Sequence, residues 1–399
     1  MRILLLYNRI PWPLHDGGAL AVHSMALGLK EAGHEVHIFC LNPSRNHVDV
    51  QDLPADFTRQ FKFESHQVDT HLRPSKALLN LLDGRSYHIS RFYRAHIAEA
   101  LAAMLRQNKF DIIQLEAPFV GMYLPVVRAH SLAKVVLRAH NVDHLIWWRL
   151  AQGEKQPLKA WYLKLQSRRL QNFETQLARQ VDGIVAISEI DAAWYQQNST
   201  VAVTVIPTGI DARNYRSLQA DDLNLFQLHF LGSLDWQPNQ EAVRWLANEL
   251  WPVMQAQSPQ SNCHLAGKNG PIWLEQLQIE GLHWHGRVKS AHDFMRQYPI
   301  CLIPMRSGSG IRIKLLEALA LGLPVITTSL GAEGVSVTHE KEVLFAEDAA
   351  GFAQALEKLQ KDVDFAFELG RRGRAFVEKH YDRQTLTCEL SNFYHSISA

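Results

Sequence analysis

Short apolar runs alternate with amphipathic stretches along most of the chain. Residues 3–7 (ILLLY) are continuously apolar, as a parallel strand buried on both faces would be. A loop at 8–18 (NRIPWPLHDGG) follows, then a helical pattern at about 19–32 closed by Gly33, then a second strand at 35–40. This is one strand–loop–helix–strand unit of a doubly wound sheet. It carries no G-x-G-x-x-G, so the dinucleotide fingerprint is absent. The paired Gly17 and Gly18 have two readings, a loop that touches a ligand or a tight turn into the helix.

The alternation continues. Residues 49–73 are polar and predict loop with a short strand, and 90–108 predict a helix. Strands are expected at 110–115, ending at Glu116, and at 134–137, ending in Arg138, Ala139, His140 and Asn141. Open α/β sheets place ligand groups at such carboxyl ends, which makes Glu116, His140 and Asn141 candidates. Residues 145–180 predict two helices broken near 153–157. Trp147, Trp148, Trp161 and Tyr162, with Lys155, Lys159, Lys164, Arg168 and Arg169, fit either a membrane-surface face or an aromatic core face with solvated charges opposite.

Strands at 181–188 and 201–206 complete the first series, and the pattern breaks at 207–211 (PTGID). A second series then runs through strand 226–231, helix 239–255, strand 264–266, helix 271–277, strand 282–285 and helix 291–297. An apolar run at 300–303 stops at Pro304, and a loop with Gly308 and Gly310 leads into a helix at about 311–321. Gly322 sits at its C-cap, Pro324 opens a strand at 325–327, and a short strand at 343–345 precedes two helices between 349 and 379. In the tail at 385–397, Leu386, Leu390 and Phe393 share one helical face. The expected architecture is α/β, with Rossmann-like domains at 1–208 and 209–384 facing a central cleft. The helix at about 385–399 is free to pack back on the first domain.

Charge singles out one stretch. Arg306, Arg312 and Lys314 crowd the start of the helix after Gly310, where the positive end of the dipole disfavours cations by roughly 0.3–1 kcal/mol each. An anion bound among the bases and the glycine-loop N–H groups would relieve this, which predicts a phosphate site. The chain as a whole carries a net charge of only +1, which argues against nucleic acid as a partner. Its four cysteines (Cys40, Cys263, Cys301, Cys388) include no CxxC pair, which disfavours a disulfide framework or a zinc site and fits a reducing cytoplasm. The N-terminal run is too short for a signal segment, and no apolar run approaches the ~18 residues a membrane span needs. His283 and His285, in an apparent strand, read as structural rather than as metal ligands.

Several motifs resemble the retaining GT-B glycosyltransferases of the "glycosyl transferases group 1" class, family 4. They are Arg2-Ile3-Leu4, Gly17-Gly18, Gly33-His34-Glu35-Val36, and the late run from Glu317 through Gly322 and Pro324 to Thr327, continued by 331–334 (GAEG). Residues 230–239 (FLGSLDWQPN) and 140–143 (HNVD) are similar to a bacterial subgroup linked to surface polysaccharide. Two departures stand out. Ser309 occupies the place of the family's first glutamate, and the region after the second domain's first strand, where many members carry an Arg and a Lys, has Ser233 and Asp235 and no base.

The resemblance implies transfer of a sugar from a nucleotide-sugar donor to a saccharide or lipid-linked saccharide acceptor, with retention and no cofactor or metal. The leaving phosphate would take the acceptor proton. Arg312 and Lys314, with Arg306 behind them, would meet the diphosphate, and Glu317 would hold the ribose hydroxyls. Gly232, Gly308, Gly310 and Glu333 would line the donor side. His140 would contact the sugar or reacting centre, with Gly17, Gly18, Glu116 and Asn141 on the acceptor or loop side. Peripheral contact with the inner membrane face would suit such an enzyme. Two other classes remain open: a sugar-nucleotide 2-epimerase, which would act without an acceptor, and a non-catalytic subunit.

Overall fold

The computed structural model describes residues 1–14, 17–71, 79–82, 84–308 and 310–398. They form two compact units, one of residues 1–208 with 384–399 and one of 209–383.

The first unit is built on a parallel sheet in the order β3-β2-β1-β4-β5-β6-β7. Its strands are β1 (Arg2–Tyr7), β2 (Glu35–Pro43), β3 (Lys62–Val68), β4 (Ile112–Glu116), β5 (Lys134–Ala139), β6 (Gly183–Ala186) and β7 (Ala202–Val205). In β1 side chains alternate between faces. Ile3, Leu5 and Tyr7 join the core holding Val22, Met25 and Leu29 of α1 (Gly17–Glu31). Leu4 and Leu6 join the other, with Leu101 and Leu105 of α2 (Ala95–Gln107). Both faces are covered, so the whole run is apolar. The C-terminal helix α12 (Arg383–Ser398) adds Leu386, Leu390 and Tyr394 to the first core. Tyr394 is fully buried, while Phe393, the expected third residue of that face, is only partly so.

Helices of this unit that bear on its site include α3 (Asp143–Gly153), α4 (Pro157–Gln180) and α5 (Glu189–Asn198). Glu174 of α4 caps α3 from outside, accepting from the N–H groups of Asp143 (2.8 Å) and His144 (3.1 Å) and from His144 Nδ1 (2.7 Å). This fixes the segment following His140, since a helix start needs partners for its free N–H groups.

The second unit is also parallel, ordered β10-β9-β8-β11-β12-β13. Its strands are β8 (Gln227–Leu231), β9 (Asn262–Ala266), β10 (Leu282–Trp284), β11 (Ile300–Ile303), β12 (Val325–Thr327) and β13 (Leu344–Phe345). The helices bearing on the site are α6 (Gln237–Trp245), α7 (Trp251–Gln257), α8 (Ala291–Gln297) and α9 (Ile313–Ala320); α10 (Ala349–Lys361) and α11 (Val363–His380) follow. A π-turn at Leu246–Leu250 joins α6 to α7, and the Trp251 N–H bonds Leu246 O across it. The helix thereby runs on into Pro252, which has no N–H to give.

Chain direction across each sheet reverses once, between β1 and β4 in the first unit and between β8 and β11 in the second. In open α/β sheets these switch points hold the ligand crevices.

Three sequence expectations change. The 49–73 segment contains a short helix, Ala55–Gln60, as well as β3. The single helix expected at 90–108 is split into Tyr87–Ser90 and α2. The buried Tyr123 hydroxyl holds the break, donating to Phe92 O (2.9 Å) and accepting from Arg94 N (3.1 Å). The helix expected from 311 begins at Ile313, because Arg312 is extended at its N-cap (φ −86°, ψ 99°).

Candidate active site

In the second unit, three loops leave the carboxyl ends of β8, β11 and β12. The first runs from Gly232 to Trp236 and leads into α6, which carries Asn239. Gly232 N bonds Ala266 O (3.0 Å), and a Cβ on Gly267 would lie 1.9 Å from Gly232 O, so these two glycines let the β8 and β9 loops touch. Asn239 donates Nδ2 to Ser233 O (2.8 Å) and accepts from Lys314 Nζ (3.1 Å). Ser233 and Asp235, in the region where many family members carry bases, hydrogen-bond each other through their side chains.

The second loop carries Gly308 (φ 107°) and Gly310 (φ 80°), both in the left-handed region that favours glycine. Arg312 follows, 4% exposed, with Nη1 donating to Gly310 O (2.5 Å) and the guanidinium 5.4 Å above the Trp236 ring. Lys314, in the first turn of α9, is half-buried, with its ammonium 4.1 Å over the Phe230 ring. Burial pulls its pKa from the usual 10.5 down to about 7, with Arg312 adding to the effect. Two cations and the free N–H groups of a helix start thus meet at the β8/β11 switch point. An arrangement of this kind is able to receive a diphosphate.

Glu317 lies one turn further along α9, its carboxylate 3.4 Å from the Tyr215 hydroxyl and 3.6 Å from His292 Nε2. Beside this carboxylate the Tyr215 ring packs 4.4 Å from His292, and burial followed by Glu317 pushes the Tyr215 hydroxyl pKa up. The third loop is pinned by Thr328, whose Oγ1 donates to Met305 O (2.7 Å) and accepts from Gly331 N (2.9 Å). Glu333 is half-buried in that loop. Arg306 stands apart from the other two bases, against Trp245 (5.1 Å) and 4.0 Å from Glu249. Ser309 lies outside the described residues.

The first unit assembles a second set at its own switch point. Glu116 ends β4, fully buried, and accepts from His140 Nε2 (2.7 Å), Gln114 Nε2 (2.6 Å) and Arg138 Nη1 (3.4 Å). Burial alone would raise its pKa, but Arg138 and His140 outweigh it and hold the carboxyl below its ordinary value. Burial likewise outweighs Glu116 at His140 and lowers that pKa, so the ring is neutral. A neutral ring that donates Nε2–H to a carboxylate keeps its lone pair on Nδ1.

Tyr7 packs on His140 (6.4 Å), and its hydroxyl accepts from Arg9 Nε (3.0 Å). The Arg9 guanidinium lies where a Cβ on Gly18 would be, 2.4 Å from Nη2. Gly17 and Gly18 themselves open α1, and Asn141 follows His140 half-buried. The Tyr394 hydroxyl of α12 bonds Gln114, tying the C-terminal helix to the Glu116 network. His283 and His285 point to Asn262 and His264, and among the described residues no group of three or more His, Cys, Asp or Glu could hold a metal ion.

Comparison with known proteins accords with this geometry. Residues 15–214 match the family described as "Glycosyltransferase Family 4", and residues 226–362 match "Glycosyl transferases group 1". The chain belongs to glycosyltransferase family 4, and its fold is GT-B. It is 22% identical over 392 residues to an uncharacterized 44.6 kDa protein in the cps region of Klebsiella pneumoniae, covering 96% of both chains. It is 27% identical over 135 residues to the putative colanic acid biosynthesis glycosyltransferase WcaL of Escherichia coli, covering 31% of this chain and 33% of that one. The crystal structure of HepE from Anabaena, solved with UDP, superposes with a TM-score of 0.69 at 14% identity, covering 99% of this chain and 100% of that one.

Tyr215, Trp236, Asn239 and His292 were not among the residues expected from sequence. Trp236 and Asn239 lie inside the 230–239 motif and could have been taken from it. Tyr215 and His292 come from separate segments that only the fold brings to Glu317.

Proposed function

We propose that this glycosyltransferase uses a nucleoside-diphosphate sugar as donor and transfers the sugar with retention to a saccharide or lipid-linked saccharide acceptor. Surface polysaccharide assembly is its setting. The observation that carries the donor reading is the half-buried Lys314 beside the buried Arg312 at the β8/β11 switch point. A diphosphate is the ligand whose charge complements two cations gathered at one helix start. HepE, which shares the fold, was solved with UDP and with UDP-glucose. The colanic acid and cps-region names of the relatives support the polysaccharide setting.

As the bond from the anomeric carbon to the phosphate oxygen breaks, the electron pair goes to the diphosphate. Arg312 and Lys314 meet the negative charge that develops there, inside a site where such charge stabilisation is strong. Glu317 accepts hydrogen bonds from the ribose hydroxyls. Gly232, Gly308 and Gly310 let backbone approach the nucleotide, and Glu333 faces the donor. His140 presents Nδ1 to a sugar hydroxyl, held in that tautomer by Glu116, while Gly17, Gly18 and Asn141 lie on the acceptor side.

A thermal-shift panel of UDP-, GDP- and ADP-sugars tests the donor reading, because a true donor raises Tm by mass action. One nucleotide class should stabilise the protein and lose its effect in Arg312→Ala. A flat response across the panel would remove the donor assignment. With a donor and an acceptor in hand, the anomeric proton coupling of the first-formed product reads retention or inversion.

A further inference from the structure

The hairpin of α3 and α4 turns apolar side chains outward around its tip. Trp148 is 44% exposed, Leu150 42%, Leu158 84% and Trp161 56%. The inner side of the hairpin is already filled. Trp147 packs 4.6 Å from His88, and Ala151, Gln166, Ser167 and Leu170 are buried. The outward residues therefore contribute nothing to the core.

Charge is concentrated on the same stretch. Residues 145–169 hold six of the chain's 41 Lys and Arg (Arg149, Lys155, Lys159, Lys164, Arg168, Arg169) but only one of its 40 Asp and Glu, Glu154. Glu154 is bonded to Lys159 (2.5 Å). Arg169 turns inward to the carbonyls of Asn80 (2.8 Å) and Leu81 (2.9 Å). Arg149, Lys155, Lys164 and Arg168 are exposed beside the tryptophans and leucines.

We propose that this hairpin tip docks on an anionic lipid bilayer. Trp148, Leu158 and Trp161 enter the headgroup region, and Lys155, Lys164 and Arg168 reach lipid phosphates. Leu158 and Trp161, three residues apart on a helix, share a face, as an interfacial helix requires. Tryptophan suits the headgroup level, and long basic side chains extend from it to phosphate while their stems stay apolar. A second copy of the chain suits this face poorly, because it would set the same bases against each other and protein interfaces are depleted in lysine.

Vesicle co-sedimentation of the full chain tests the proposal, with phosphatidylcholine–phosphatidylglycerol vesicles against pure phosphatidylcholine. Binding to the anionic vesicles should fall as salt rises. The Leu158→Ser/Trp161→Ser variant should partition about tenfold more weakly. Each lysine reversed in Lys155→Glu/Lys164→Glu should cost about fivefold or more. Circular dichroism melts confirm that the variants fold, and UDP titration reports separately on the second unit. The proposal is overturned by equal binding to neutral vesicles, by no binding, or by variants that bind like wild type. Dimerisation that Leu158→Ser/Trp161→Ser abolishes would overturn it as well, assigning the face to a second copy.

Discussion

Replacing Lys314 with methionine separates the cost of this residue to the fold from its use to the ligand. Its pKa of about 7, against 10.5 in an exposed chain, means that the protonated form is disfavoured in the folded protein. A displacement of that size corresponds to at most about 5 kcal/mol. The net gain on substitution is smaller, because the contact over Phe230 (4.1 Å) and the bond to Asn239 (3.1 Å) are lost with the charge. We expect the free Lys314→Met protein to be about 1–2 kcal/mol more stable at pH 7 or below. In a thermal melt that is about 3–6 °C for a unit of this size.

The sign with pH follows from proton linkage. Between pH about 7 and 10.5 the unfolded chain binds the Lys314 proton and the folded chain does not. Wild-type stability from this group therefore rises through that window, and the advantage of the variant fades as the pH approaches 10. UDP affinity of the variant, by calorimetry, should fall about tenfold to a hundredfold with the loss of a charge-assisted contact. A free variant less stable than wild type at neutral pH, with UDP affinity unchanged, would refute the reasoning.

Wild-type UDP binding should itself weaken from pH 7 to 9 by about tenfold or more, because the free protein loses the Lys314 proton there while the diphosphate stays ionised. Calorimetry in buffers of different ionisation enthalpy should show proton uptake on binding. Gly267→Ala places a methyl 1.9 Å from Gly232 O, so we expect a loss of about 1–3 kcal/mol in denaturant titration together with weaker UDP binding. Glu116→Gln leaves Arg138 buried opposite a neutral group and should cost about 3–5 kcal/mol in the same titration, with UDP binding by the second unit retained.

The two sheets were legible because buried parallel strands are apolar throughout, and 3–7, 300–303 and 325–327 announce themselves. The break at 91–94 was not, since a tyrosine thirty residues away holds it. The basic cluster was legible as a violation of helix-end electrostatics, but its geometry was not. Arg306 and Arg312 look alike in sequence, yet one is exposed over Trp245 beside Glu249 and the other is buried over Trp236. Only folding distinguishes them, because Trp236 and Trp245 arrive from a different strand's loop and helix. Glu116 and His140 were marked by their strand ends. Gln114 and Tyr394, which complete that network, are 280 positions apart and carry no local signal. The outward tryptophans of the α3–α4 hairpin were ambiguous for a related reason, since a periodic pattern cannot say which face a neighbour covers.

The most direct test of the donor site is a crystal structure of the protein with UDP. The account predicts diphosphate oxygens bonded by Lys314 Nζ and the Arg312 guanidinium, with the ribose hydroxyls on Glu317. A diphosphate bound elsewhere, with Lys314 still on Asn239 and Arg312 still on Trp236, would contradict it.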